Sequence, residues 1–255
     1  MKARIVSVGL LIVIICTCFA TVQAKNPSVK PLKITAVTTD TTTLSADLYV
    51  PADTGRTTFP LVILLHMMNH DRASYRELVP LLLSRKWAVL NVDLRGHGKS
   101  NVVRGAKRTP EQLLESDFPR MPGDLNVLVA ESLKRSAQID TQRVAIVGAS
   151  IGSSVAVFYG AEHPTAKAIV LLSPGLNYRN MELRPRLMLY GRRPILMLVG
   201  KKDQRSFESC ILLNKVALGD KKLVVYDVDA HGTDIFPAVK GADSLVINWL
   251  GPRMY

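Results

Sequence analysis

Cysteine is almost missing from this 255-residue chain: Cys16, Cys18 and Cys210 are the whole supply. Two of the three sit in an apolar N-terminal run, so the chain beyond that run carries one thiol and no internal disulfide is possible there. Stability has to come from an apolar core, and 47% hydrophobic residues are enough to build one. Cys210 lies among Phe207, Ile211 and Leu212, which predicts a buried structural thiol. Histidine is sparse too: five are present, and none has zinc-ligand spacing. Acidic residues are outnumbered, 21 against 33 basic, for a net charge of +12. Such a balance can mark a nucleic-acid binder, but the chain has no recognisable nucleic-acid module, so no nucleic-acid partner is expected. Weak attraction to anionic envelope surfaces remains compatible with it. Repeats, low-complexity tracts and internal linkers are also lacking, which predicts one domain over 25–255.

What is present begins with an export pattern. Lys2 and Arg4 precede a nearly uninterrupted apolar run from Ile5 to Ala20, followed by Val22-Gln23-Ala24. This reads as a secretory signal peptide over 1–24, cut after Ala24, and predicts a periplasmic or secreted protein. Retention of the segment as a membrane anchor is the alternative.

Leu32 to Val37 and Leu44 to Val50 flank the polar turn Thr38 to Thr43 and predict an antiparallel hairpin. Short apolar runs come next, at Leu61–Leu65, Trp87–Val92, Val144–Val147, Ala168–Leu172, Ile195–Val199 and Leu223–Val228. Between them lie segments with helical spacing: Leu78, Leu81 and Leu82; Leu125, Leu128, Val129 and Leu133; Leu245, Ile247, Trp249 and Leu250. Buried parallel strands with helical crossovers on both faces account for this pattern, an α/β fold. Asp124, just after Pro122-Gly123, is expected to cap the second of these helices.

The motif with the most chemistry is Gly148-Ala149-Ser150-Ile151-Gly152, which follows an apolar run and opens a helix-like segment. A sharp strand-to-helix turn pushes Ser150 out as a nucleophile and leaves the Ile151 N–H at a helix N-terminus, ready for an oxyanion. A serine hydroxyl needs a base, and that base needs an acid to fix its tautomer. His231 follows the last strand-like run in Asp229-Ala230-His231-Gly232, and Asp203 follows the Ile195–Val199 run. Both therefore fall at the carboxyl edge of the sheet, where open α/β proteins gather their sites. Asp227 and Asp229 are the rival acids; Asp227 is placed within the strand, and Asp229 is close to His231 in sequence. The loop after the first parallel strand reads His66-Met67-Met68-Asn69-His70-Asp71-Arg72, and Met67 or Met68 would add a second oxyanion amide. His66 is expected to shape that turn, His70 to be exposed, and His163 to end a helix before Pro164. Asp93 to Ser100 is glycine-rich but lacks the Gly-Lys-Ser/Thr framing of a phosphate loop, so a tight structural turn is expected and no cofactor is implied.

Taken together, the His66 turn, the Asp93–Ser100 turn, the Ser150 elbow, Asp203 and His231 resemble the α/β-hydrolase superfamily over essentially the whole chain after residue 24. Leu64-Leu65-His66-Met67 with Asp71-Arg72, and Arg143 to Gly152, look like its cap-less members related to dienelactone hydrolases. The resemblance implies Ser150 as nucleophile, His231 as base, Asp203 as acid, and the Met67 and Ile151 amides as oxyanion donors. Dienelactone hydrolases typically carry cysteine where this chain has Ser150, so lactone opening is not carried over. Only about twenty residues separate Leu172 from Pro194, too few for a large lid. That segment holds Arg179, Arg184, Arg186, Arg192 and Arg193, which are expected either to favour an anionic substrate group or to form a solvated basic helix. The expected activity is cleavage of small-molecule carboxylic esters or thioesters. Peptidase or amidase chemistry with the same triad, and a non-catalytic envelope binding protein, are the alternatives.

Overall fold

The apolar runs become strands, and the central ones are buried on both faces, as parallel strands between helical layers must be. The computed structural model describes residues 29–254 apart from 53, 54 and 56. The expected signal peptide over 1–24 and its cut after Ala24 lie outside the described residues. The main strands are β1 (Leu32–Val37), β2 (Thr43–Tyr49), β3 (Phe59–Leu65), β4 (Ala88–Asp93), β5 (Ile139–Ala149), β6 (Ala166–Leu172), β7 (Ile195–Gly200) and β8 (Lys221–Tyr226). The main helices are α1 (Leu78–Ser84), α2 (Met121–Arg135), α3 (Ile151–Glu162), α4 (Leu183–Tyr190), α5 (Gln204–Val216) and α6 (Ala242–Leu250).

In space the strands run β8-β7-β6-β5-β3-β4-β2-β1. Every pair from β8 to β4 is parallel, while β2 joins β4 and β1 antiparallel. The chain goes from β3 out to β4 and then crosses back to β5, so the strand order reverses beside β3. The carboxyl ends of strands at such a switch point frame a natural crevice. On one face, Leu125, Leu128, Val155, Leu187 and Leu213 of α2 to α5 cover Ile63 and Ile146. On the other, Leu78 and Leu82 of α1 and Val246 and Leu250 of α6 cover Val62 and Val147. Cys210, on the inner face of α5, is fully buried, as its apolar neighbours predict.

Between β4 and α2 the chain makes an excursion that the hydrophobic pattern does not reveal. It contains a two-residue hairpin, Val102–Val103 with Ala106–Lys107, and short 3₁₀ turns at Pro110–Gln112 and Glu115–Arg120. Arg95, 2% exposed, anchors it with hydrogen bonds to Asp124 (2.7 and 2.8 Å), Asp40 (2.6 Å) and Thr42 (3.0 Å). Arg104 pairs with the buried Asp117. Asp124 is therefore not a cap: α2 begins earlier, at Met121, where Pro122 fits a first turn whose N–H groups have no carbonyl partner within the helix. The freed Asp124 carboxylate goes to Arg95.

Two backbone approaches set the edge where β3, β4 and β5 end. A Cβ at Gly152 would lie 2.2 Å from the Leu65 carbonyl oxygen and 2.7 Å from that of His66, and one at Gly148 would lie 2.2 Å from the Gly152 carbonyl oxygen. Only glycine lets α3 start this close to β3. His66, fully buried, then ties the β3 and β4 loops together. The Leu94 N–H donates to its Nε2 (3.0 Å), which leaves the proton on Nδ1, and Nδ1–H donates to the Met67 carbonyl (2.8 Å). Burial first, and the neighbouring His97 second, push the His66 pKa down to about 3, so the ring stays neutral.

Both features have measurable consequences. In Gly152→Ala the clash with two carbonyls outweighs the gain in helix propensity of about 1 kcal/mol. A net loss of about 3 kcal/mol, or roughly 6–12 °C in Tm, is expected. Gly123→Ala, in open space within α2, should be neutral or stabilising, and equal melting of the two variants would contradict this account. For His66 the folded pKa lies below the unfolded value of 6.5. Its stabilisation is therefore complete above pH 6.5 and is lost as pH falls towards 3, by up to about 1.4 kcal/mol per pH unit. The urea midpoint should drop between pH 7 and pH 5, with a shallower drop in His66→Gln; parallel pH profiles would refute the assignment.

Candidate active site

Ser150 stands on the turn between β5 and α3 at φ 51°, ψ −112°, a left-sided conformation that costs a non-glycine residue about 1–3 kcal/mol. The strain is held by hydrogen bonds from the Ser150 N–H to the Leu172 carbonyl (2.8 Å) and from the Ser153 N–H to the Ser150 carbonyl (2.9 Å). Ser153 Oγ adds a third, to the Gly148 carbonyl (2.7 Å). The side chain is thus forced out of the turn. Ile151 begins α3, and its N–H has no carbonyl four residues back to donate to.

Asp203 and His231 arrive from the ends of β7 and β8. A Cβ at Gly200 would lie 2.6 Å from the Ala230 carbonyl oxygen and 2.8 Å from that of Val228, so the two loops cross in backbone contact. Lys201 N–H donates to the Tyr226 carbonyl (2.7 Å) and Lys202 N–H to the Val228 carbonyl (3.2 Å), which fixes that crossing. The outcome is a 2.6 Å hydrogen bond from His231 Nδ1 to Asp203 Oδ2, with the imidazole 44% and the carboxylate 14% exposed. Donation from Nδ1 leaves Nε2 as the free base. Asp203 also faces the first turn of α5, where it accepts weakly from the Ser206 N–H (3.4 Å). Of the two rival acids, Asp227 lies one residue beyond β8 rather than within it, and neither Asp227 nor Asp229 bonds to His231.

The His231 loop comes back over the elbow. Gly232, at φ 57°, donates its N–H to Ser173 Oγ (3.0 Å), and a Cβ there would lie 2.6 Å from Met67 Sδ and 3.4 Å from Ala149 Cβ. Ser150, Asp203 and His231 therefore share one edge of the sheet. Among the described residues no hydrogen bond joins Ser150 Oγ to His231 Nε2; such bonds are commonly long without substrate.

The loop after β3 completes the edge. The Met67 carbonyl is turned inward, where it accepts from His66 Nδ1–H and from the His70 N–H (3.3 Å). In a trans peptide the next N–H, that of Met68, points the opposite way. The sequence does not separate Met67 from Met68, because the choice depends on the direction of one peptide plane. His70 is exposed and His163 closes α3 with Nδ1 on the Tyr159 carbonyl (2.8 Å), as expected. Asp93 to Ser100 is a structural turn: the Asp93 carboxylate accepts from the backbone of Arg72 (2.9 Å) and Lys99 (2.7 Å), and Ser100 Oγ bridges Asp93 and Ser45.

The arginines between Leu172 and Pro194 have structural work. Arg179 pairs with Glu115 and lies 5.3 Å from the Phe118 ring centre, Arg184 pairs with Glu182 (2.7 Å), and Arg186 pairs with Glu162 (3.1 Å) over Phe158. Arg193 donates to the carbonyls of Gly160, His163 and Ala166. Four of the five are thus already engaged.

The profile of the family described as serine aminopeptidase, S33 matches residues 57–193, more than half of the chain, and includes Ser150 but neither Asp203 nor His231. No curated protein matches the chain. Among solved structures, an esterase from Pyrococcus furiosus is similar at 20% identity and TM-score 0.69, covering 89% of this chain and 92% of that one. A dienelactone hydrolase from Anabaena variabilis is similar at 18% and 0.63, covering 88% and 97%. An acylaminoacyl peptidase from Pyrococcus horikoshii is similar at 14% and 0.69, covering 90% of this chain and 42% of that one. At these identities the neighbours show a shared fold, and the family match adds the chemistry class. The chain is a serine hydrolase of the α/β-hydrolase fold and belongs to the serine aminopeptidase, S33 family.

Proposed function

We propose that this protein is an exported esterase that cleaves small-molecule carboxylic esters or thioesters through an acyl-enzyme on Ser150. The observation that carries this reading is the 2.6 Å Asp203–His231 bond at the same strand edge as the strained Ser150 turn. Asp203 holds the Nδ1–H tautomer, so Nε2 takes the Ser150 proton as Oγ attacks the carbonyl carbon. The oxyanion is met by the Ile151 N–H at the start of α3 and by an amide of the β3 loop. Resemblance assigns that second amide to Met67; the inward Met67 carbonyl favours Met68. His231 then protonates the leaving alcohol or thiol, and water reverses the sequence to free the acid.

The similar esterase and dienelactone hydrolase folds support ester cleavage, while the family's description and the acylaminoacyl peptidase fold favour amide cleavage as the second reading. Export rests on the Lys2 to Ala24 pattern.

With residues 25–255 and a short activated ester, Ser150→Ala should lose turnover and fluorophosphonate labelling. Asp203→Asn should lower kcat by about 10⁴-fold, since it leaves the imidazole in the wrong tautomer. Labelling of Ser150→Ala at the wild-type rate would sink the nucleophile assignment. Faster turnover of matched anilides than of esters would select the peptidase reading.

A further inference from the structure

A cavity of about 750 Å³ opens at the carboxyl edge, lined by Asn69 and Asp71 of the β3 loop, Gly98 and Asn101 of the β4 loop, and Lys107 and Arg108 of the excursion. It lies on the β4 side of β3, whereas Ser150, Asp203 and His231 all come from the β5–β8 side. β4 is two strands from β5, so at about 4.8 Å per strand the cavity starts roughly 10 Å from the elbow.

Its charge is unlike that of α4. Lys107 and Arg108 are exposed and pair with no acid among the described residues. Of the acids close by, Asp71 accepts the Ala73 N–H (2.7 Å) and Glu111 turns to its own backbone and to Thr109; both keep their charge, but neither forms an ion pair with Lys107 or Arg108. The amide side chains of Asn69 and Asn101 have no hydrogen-bond partner among the described residues and add uncharged donors to the same wall. Adjacent cations, one a planar fork and one a point charge, suit a carboxylate.

We propose that this cavity is the acyl subsite and that it accepts acyl groups ending in a carboxylate, bound by Lys107 and Arg108. The proposal rests on the hydrolase reading above, and the direction of the substrate follows from it. The leaving group has to stay within reach of His231, which protonates it. The acyl half is the part free to extend past the Met67–Met68 loop towards β4.

The test compares 4-nitrophenyl monoesters of suberic acid with 4-nitrophenyl octanoate. The wild-type protein should favour the anionic ester, and salt should erode that preference. In the Lys107→Ala/Arg108→Ala double variant the ratio of kcat/KM values, anionic over neutral, should fall about three- to tenfold, mainly through KM. Arg186→Ala, whose cation is already paired, should leave the ratio in place. Free suberate should bind to Ser150→Ala protein in calorimetry and bind more weakly when the double variant is added. That arm reports on the cavity without turnover, so failure of the hydrolase chemistry and failure of the subsite are told apart. The proposal is overturned if suberate binding survives loss of both cations, if the ratio does not move, if Arg186→Ala moves it equally, or if esters with the carboxylate on the alcohol side are preferred.

Discussion

Everything at the carboxyl edge depends on how closely the start of α3 approaches β3. Gly152 sits against the Leu65 and His66 carbonyls and Gly148 against the Gly152 carbonyl, at separations no side chain tolerates. This closeness turns the chain sharply enough to hold Ser150 at positive φ, and it brings the Ile151 N–H beside the β3 loop that carries Met67 and Met68. The strain at Ser150 of about 1–3 kcal/mol is small beside the burial of the apolar side chains in the two clusters flanking the sheet. Burying one Leu or Ile side chain contributes about 1.5–3 kcal/mol, so the core together with the hydrogen bonds around the turn outweighs the strain.

Around that approach the edge is built from backbone rather than from side-chain packing. Gly200 against Ala230 and Val228 joins the loops that carry Asp203 and His231, and Gly232 seats the second of these on Ala149 and Met67. His66 does the equivalent for the β3 and β4 loops through two main-chain hydrogen bonds. The contacts that place the polar groups are short and directional, which suits geometry that has to hold within a fraction of an ångström.

A backbone-built edge also decides how much of the site is legible in the sequence. Strands buried on both faces announce themselves as unbroken apolar runs, and Val144–Val147, Ile195–Val199 and Leu61–Leu65 lie inside observed strands. Residues directly after such runs inherit their position, so Ser150, Asp203 and His231 are readable as neighbours without any contact being known. Features set by partners far away in sequence are not. Asp124 looks like a cap from its local context, yet its partner Arg95 is 29 residues away. Arg179 and Arg186 look available because their partners Glu115 and Glu162 are distant in the chain. The choice between Met67 and Met68 turns on a peptide plane, about which residue identity says nothing.

The buried charges around Arg95 bear on what the excursion can do. Arg95 and Arg104 face Asp40, Asp117 and Asp124, and Arg95 and Asp117 are essentially out of solvent. Burial pushes the deep Asp124 carboxyl up even against Arg95. At the shallower Asp40 burial acts the same way, but hydrogen bonds from Arg95, Thr38 and Thr42 outweigh it and hold the carboxyl well below its usual range. Such a cluster adds little net stability over an apolar one, because desolvating each ion costs several kcal/mol. Its effect is on alternatives: moving the excursion strands a buried charge, at about 3–5 kcal/mol. One docked position is therefore strongly preferred, and Lys107 and Arg108 stand on a wall held in place from beneath. A fixed backbone spares a substrate the cost of ordering the excursion, and only the two exposed side chains lose rotamer freedom when a carboxylate binds.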